Sequence, residues 1–349
     1  VDPDTPIPLL TDSVVPAPDA SATGGSGLMA NPADRYGVVP PPRAPRRRRA
    51  WRWVLLVTLL LVAMLAALVY EARTSWLQAR WLPGYAQSMT FMVEEGASDK
   101  VQYPLKGPFD HRLGYVRLPS VLNKLQANGF MIERQARMSP EMLNYASASL
   151  YPPYREKTQA GLDIIDYQGR VMFDFQYPRQ VFASFEQVPD LMVQALLFIE
   201  DRRLLDGSEP ALNPAVNWGR FLKAAVFKVG DVINLDTPSM GGSTLATQIE
   251  KFRHSENGVT GSVEEKLRQM VSASVRVYQD GMDTMPARRQ LVLDYINTVP
   301  LSAAPGVGEV NGIGDGLYVW FAADVAEVTR LLNLQDAKGE ELARQGLAL

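Results

Sequence analysis

The sequence predicts a mainly α-helical domain behind one membrane-crossing helix, with a small α+β region between the two. Three observations carry this expectation. An uncharged run, VLLVTLLLVAMLAALVY from Val54 to Tyr70, follows directly on a cluster of arginines. From Glu71 to about Gln176, short alternating apolar stretches are separated by turn residues. From Val188 onward, apolar residues recur at helical spacing in one segment after another.

A chain of 349 residues has room for more than one domain and a sizeable core. Its 35 Lys+Arg and 38 Asp+Glu give a net charge of −3, so no global positive field points to nucleic acid as a partner. The lack of cysteine excludes disulfides, thiolate metal sites and cysteine nucleophiles. His111 and His254 are the only histidines, which argues against a polyhistidine metal centre, and no metal ligand is assigned. The chain opens on Val1 and stops in a helical-looking tract, DAKGEELARQGLAL. Residues 336–349 therefore read as a truncated tail, or the start of a further segment, of a longer protein.

Residues 1–50 are rich in Pro, Ala, Asp, Gly and Ser, and bury too little apolar surface to offset their ordering entropy. They read as a disordered tail. Residues 51–70 read as the membrane helix, with Trp51, Trp53 and Tyr70 placed as interfacial belts. Arg43, Arg46 to Arg49 and Arg52 all precede it, which predicts a cytoplasmic N-terminus. In a bacterium this means a single-pass protein of the inner membrane with its main domain in the periplasm. A cleaved signal peptide is the rival reading, but VYEARTSW offers a poor cleavage site.

Residues 71–180 read as the α+β region beside the membrane. YVRLPSVLNKLQANGFMIERQ suggests strand, helix, strand, and LDIIDYQGRVMFDFQ suggests two strands around Gln168-Gly169-Arg170. Residues 181–335 read as the helical domain, through PDLMVQALLFIED, NWGRFLKAAVFKVG, STLATQIEKF, SVEEKLRQMVSASVRVYQ and ARRQLVLDYIN.

Three of these segments could carry chemistry. In LLFIEDRRLL, Glu200 and Asp201 end an apolar helix opened by Pro189, and Met192, Leu196 and Glu200 share one face. Apolar neighbours and the negative end of the helix dipole both disfavour the charged carboxylate, as suits a general acid or base. An exposed terminal glutamate would look the same. In SMGGSTLATQIEKF, Gly241-Gly242 permits close backbone approach and Ser243 is a plausible N-cap of a helix whose free N–H groups suit a phosphate. Thr244, Gln248 and Lys251 follow as a polar stripe, and Lys251 adds positive charge. In GSVEEKLRQMVSASVR, Val263, Leu267, Met270, Val271 and Val277 form the expected buried face. There Ser262 and Glu265 have capping-box spacing, so Glu265 reads as structural.

Glu200-Asp201, followed some forty residues later by GGSTLATQIEK, gives the chain a resemblance. From about Val188 to Asn333 it resembles the glycosyltransferase domain of class A penicillin-binding proteins and monofunctional peptidoglycan glycosyltransferases. Their ordered motifs are Glu-Asp-x-x-Phe, Gly-Gly-Ser-Thr-x-x-x-Gln-x-x-Lys, Arg-Lys-x-x-Glu, Ile-Leu-Glu-x-Tyr-Leu-Asn and a Gly-rich segment ending in Tyr-Phe-Gly. Each has at least a partial counterpart here. The resemblance implies a lysozyme-like, mostly helical fold and the joining of lipid II disaccharides into glycan strands, with release of a polyprenyl pyrophosphate. It implies lipid II, the nascent strand, the bilayer and other cell-wall synthesis proteins as partners. It implies no certain cofactor, while leaving room for a divalent cation (Mg) at the pyrophosphate.

Carried over by motif, Glu200 is the base with Asp201 beside it. Gly241, Gly242, Ser243, Thr244, Gln248, Lys251, Lys266, Gln269 and Asn297 contact substrate. The departures are as specific. The first motif's Phe is Leu204, the third motif's Arg and Glu are Glu265 and Gln269, and the last motif's Gly-Lys is Ala322-Ala323. Gln269 cannot carry charge, and Arg202, Arg203, Arg268 and Arg288 are candidates to compensate. The alternative to an enzyme is a catalytically impaired scaffold that binds lipid II or glycan. A third reading, a glycan hydrolase, needs a second acid, with Asp294 and Glu309 as candidates.

Overall fold

In a computed structural model of the chain, the described residues are 47–102, 104, 106–219 and 243–333. The expectations for the tail before residue 47, for most of NWGRFLKAAVFKVG, for Gly241-Gly242 and for residues 336–349 lie outside them. The chain divides into two compact units, 1–59 and 60–349.

Helix α1 (Arg47–Thr74) crosses that boundary. Its stretch Trp51–Thr74 has a mean hydropathy of 2.7 and no buried residue, and is long and apolar enough to cross a membrane. The helix breaks at Ser75, whose backbone is left-handed (φ 51°), and α2 (Trp76–Ser88) leads away. The Glu71 carboxylate accepts the N–H groups of Leu77 and Gln78, two of the donors that a helix start leaves without partners. Ser75 Oγ accepts the Asn213 N–H at 3.0 Å, and the Asn213 amide donates to Gln78 (2.6 Å) and Ser274 (2.8 Å). A knot of polar side chains thus holds the foot of α1.

The next stretch contains β1 (Phe91–Glu95), α3 (Pro108–Arg112), α4 (Leu118–Ala127), β2 (Arg134–Met138) and α5 (Pro140–Ser147), with β1 and β2 paired antiparallel. The strand expected at Tyr115 is a 3-10 turn, Tyr115–Arg117. Gly114, at φ 83°, turns the chain, and Pro119 pre-sets the dihedral of a first helical turn. The expected hairpin is present as β3 (Ala160–Ile165) and β4 (Val171–Tyr177). Its turn is closed by Asp166, which accepts the N–H groups of Gln168 and Arg170.

The helical domain contains α6 (Asp190–Ile199), α7 (Leu245–His254), α8 (Val263–Val277) and α9 (Met285–Thr298). A small hairpin, β5 (Pro300–Ala304) with β6 (Gly308–Asn311), is followed by α10 (Ile313–Phe321) and α11 (Val325–Leu332). The fold is mainly helical, as expected. Val193 of α6, Leu245 and Ile249 of α7, Ala273 and Val277 of α8, and Val292 and Ile296 of α9 meet in one core. Burying each large aliphatic side chain contributes about 1.5–3 kcal/mol.

The face that α8 buries differs from the expected one. Val277 is buried as expected, but Val263 and Leu267 are 71% and 50% exposed, and Gln269, Ser272, Ala273 and Val275 are buried instead. Small side chains let α8 approach α7 closely, and Gln269 and Ser272 find hydrogen-bond partners inside, so their burial leaves no polar group unpaired.

Candidate active site

Glu200 closes α6, its N–H donating to the Leu196 carbonyl at 2.9 Å. Met192 and Leu196, on the shared face, pack against the core and anchor that helix end. The Gln248 amide, one turn into α7, donates to Glu200 Oε2 at 2.6 Å. Tyr295 of α9 stands beside them, and burial, then the Glu200 charge, hold its phenol above the ordinary range. Two motifs far apart in sequence thus meet side chain to side chain. Asp201 faces elsewhere: it accepts the Arg203 N–H and lines a cavity of about 700 Å³ with Arg73, Arg203 and Trp218.

The start of α7 is built differently from the expectation. Its N-cap is Thr244, whose Oγ1 accepts the Thr247 N–H while Thr247 Oγ1 accepts the Thr244 N–H. Thr244 Oγ1 also donates to the Ala215 carbonyl, so this side chain is buried and fully engaged. Ser243, one residue earlier, instead accepts a 2.7 Å hydrogen bond from Lys266 Nζ of α8. Burial, then the charge of Lys251, lower the Lys266 ammonium to about 8. Lys266 beside the helix start, with Lys251 of the same helix near enough to act on its charge, makes a local positive well suited to a phosphate. The protein groups at this helix start are hydroxyls and ammonium groups, so a divalent cation there would take its anionic oxygen ligands from the pyrophosphate itself.

Two residues expected to contact substrate are buried and held by protein partners. Gln269 is completely buried; its Nε2 donates to Ser255 and Thr260, both at 2.9 Å, and its carbonyl accepts from Thr260. Asn297 is 1% exposed and pairs with the backbone of Phe182, accepting its N–H at 2.9 Å and donating to its carbonyl at 2.8 Å. Neither reaches a groove without abandoning these partners. Gly312, next along the fold, presses on the Asn297 carbonyl so closely that a Cβ would lie 2.4 Å from it.

Glu265 is structural, but not through a reciprocal cap. Its N–H donates to Ser262 Oγ, while its carboxylate receives Tyr151, Ser255 and Arg268. Burial opposes its charge, yet these partners hold the carboxyl below its usual range. Among the candidate compensating arginines, Arg268 is taken by Glu264 and Glu265. Arg288 is buried, donating to the carbonyls of Asp206, Glu209 and Leu212. Arg202 lies over the Phe198 ring at 3.9 Å. Of the hydrolase candidates, Asp294 is held by Arg253 and Gln290.

Sequence reasoning passed over the far end of α7. His254 is buried, with Nδ1 2.8 Å from Asp110 of α3 and Nε2 3.0 Å from Glu156. Arg253 and Arg276 also face Glu156, at 3.6 and 3.7 Å, and Arg253 reaches Asp294 at 3.2 Å. Asp110, Glu156 and His254 have the composition of a metal site. Here, however, each ring nitrogen already faces a carboxylate oxygen, and Arg253 and Arg276 bring positive charge to Glu156. A spacing-based signal for this cluster did not exist, because its members come from three distant segments.

Residues 168–337 match the family model described as Transglycosylase. No curated protein matches the chain.

Proposed function

We propose, from the premise that residues 168–337 are a transglycosylase domain, that the chain polymerises lipid II from a membrane anchor. A transglycosylase domain supports a glycosyltransferase of peptidoglycan biosynthesis with a lysozyme-like fold. The single observation that carries the finer reading is the Gln248–Glu200 hydrogen bond, which joins the candidate base to the helix of the candidate phosphate cradle.

In this reading Glu200 takes the proton of the acceptor 4-hydroxyl as that oxygen attacks the donor's anomeric carbon. The bond to the phosphate oxygen breaks, and its electron pair leaves with the polyprenyl pyrophosphate. Lys251 and Lys266 hold that leaving group beside Ser243, and Gln248 orients the Glu200 carboxylate. Gly241 and Gly242, outside the described residues, keep the substrate-binding role that their motif gives them, and Thr244 fixes the helix start. Asp201 borders the cavity beside α1, where a lipid-borne substrate would approach. Helix α1 is the anchor, with the N-terminus cytoplasmic and residues 71–333 on the outer face of a bacterial inner membrane.

Polymerisation of labelled lipid II by the detergent-solubilised chain tests the reading, with Glu200→Gln as the decisive variant. Product that survives this substitution at the wild-type rate would remove Glu200 as base. A second reading, a lipid II-binding scaffold, is favoured by the burial of Gln269 where the family carries a glutamate. It requires saturable lipid II binding and no turnover by the unmodified chain.

A further inference from the structure

Helix α7 has two working ends. Near its N-terminus it presents Gln248 to Glu200, and at its C-terminus Arg253 and His254 are embedded in carboxylates from other segments. Asp110 comes from α3 and Glu156 from the stretch between α5 and β3, both preceding the matched domain in the chain. Residues 107–156 therefore form part of the wall behind α7.

The packing there is close. A Cβ on Gly107 would lie 1.9 Å from the Arg253 carbonyl oxygen. Phe109 is buried under the Arg253 guanidinium, 5.0 Å from the ring centroid, and the Tyr151 ring lies 5.0 Å from that of His254. The Gly107 N–H donates to Asp110 Oδ2, which leaves Oδ1 toward the imidazole.

Both ring nitrogens of His254 face carboxylate oxygens within hydrogen-bond distance, so both must carry protons for the two bonds to exist. Burial opposes that charge, but Glu156 and Asp110 outweigh it and raise the imidazole to about 9. The groups around it are accounted for from each packed element: Glu250 and Arg253 on α7, Arg276 on α8, and Asp294 on α9 through Arg253. Tyr115 and Tyr154 border Glu156 from the α+β side.

We infer that the region preceding the transglycosylase domain locks α7 in register through this buried charge cluster, with Asp110 and Glu156 as positioning residues that act through His254 and Arg253 on the Gln248–Glu200 contact. The kinetic arm of this inference rests on the glycosyltransferase reading; the structural arms do not.

The full chain in detergent, carrying His111→Gln, has a single imidazole, whose ring resonances report His254 directly. The expected result is an imidazolium at pH 7 that titrates near 9. With Glu156→Gln or Asp110→Asn, the midpoint falls by about one unit or more, roughly a tenfold loss in proton affinity. In the same variants amide exchange at Thr247 and Gln248 accelerates about tenfold. The exposed-pair control Arg155→Gln leaves it unchanged. With lipid II as substrate, kcat falls along with exchange protection while KM stays within about twofold, the pattern of a positioning loss. Neutral His254 at pH 7 in the otherwise unmodified chain, a result needing no lock variant, would overturn the inference. So would a lowered midpoint with unchanged exchange at Gln248. If the parent chain does not turn over lipid II, the functional reading fails, while titration and exchange still decide the lock.

Discussion

The amide of Gln248 donates to the carboxylate of Glu200 across 2.6 Å, joining the end of α6 to the first turns of α7. An amide at that distance fixes which way the carboxylate points and supports its negative charge without neutralising it. Replacing Gln248 by Ala should leave folding intact, because the side chain is only half-buried. Polymerisation should drop by about 10²-fold, the typical loss when one preorganised polar contact is removed. Steady-state assays on labelled lipid II measure it, and an unchanged kcat would sever this contact from the chemistry.

The lysine pair makes a separate prediction. Lys266 titrates near 8, and its charge is needed to complete the positive well beside Ser243. Inorganic pyrophosphate, followed by calorimetry, should bind more weakly as pH rises from 7 to 9. Lys266→Ala should weaken it by about tenfold or more and flatten that pH dependence, as loss of one charge-assisted contact would.

Stability should follow the buried cluster with a defined sign. His254 is raised to about 9, so its contribution is complete below its unfolded value of 6.5 and is lost as pH rises through 9. Glu156 is lowered to about 2, against burial, by His254, Arg276 and Arg253; its contribution is complete above 4.5 and is lost as pH falls through 2. Thermal unfolding of the detergent-solubilised chain should therefore be latest between about pH 4.5 and 6.5. A melting temperature that climbs steadily toward pH 9 would contradict this.

Asn297 should behave as a structural residue. Asn297→Ala leaves the N–H and carbonyl of buried Phe182 without partners, a loss of about 2–4 kcal/mol for two such groups. Denaturant titration should show the loss. Asn297→Asp should fare nearly as badly, because a carboxylate cannot donate to the Phe182 carbonyl.

Much of this fold is written in local patterns. The uncharged run of α1, the helical spacing of α6 to α9 and the Asp166–Gly169 turn all appear in windows of a few residues. Glu200 and Gln248 each sit in a short motif at a helix end, but only the family resemblance, and no local window, puts the two motifs in one site. The inward face of α8 was not legible: Gln269 and Ser272 are buried because Ser255, Thr260 and Tyr151, all outside that helix, accept or donate to them. The N-cap shifted by one residue for a similar reason. By type Ser243 is the slightly better cap, and the Ala215 carbonyl and Lys266 reverse that preference. The Asp110–His254–Glu156 cluster lies beyond any sequence window, since burial of a charge becomes tolerable only once distant segments have assembled.

The knot at Ser75, Asn213 and Ser274 has a consequence for α1. Glu71 and Ser75 are tied to the start of α2, to α8 and to the loop that Arg288 pins. Exchanging the apolar segment as far as Tyr70 for an unrelated one leaves those ties in place, whereas an exchange carried through Ser75 cuts them.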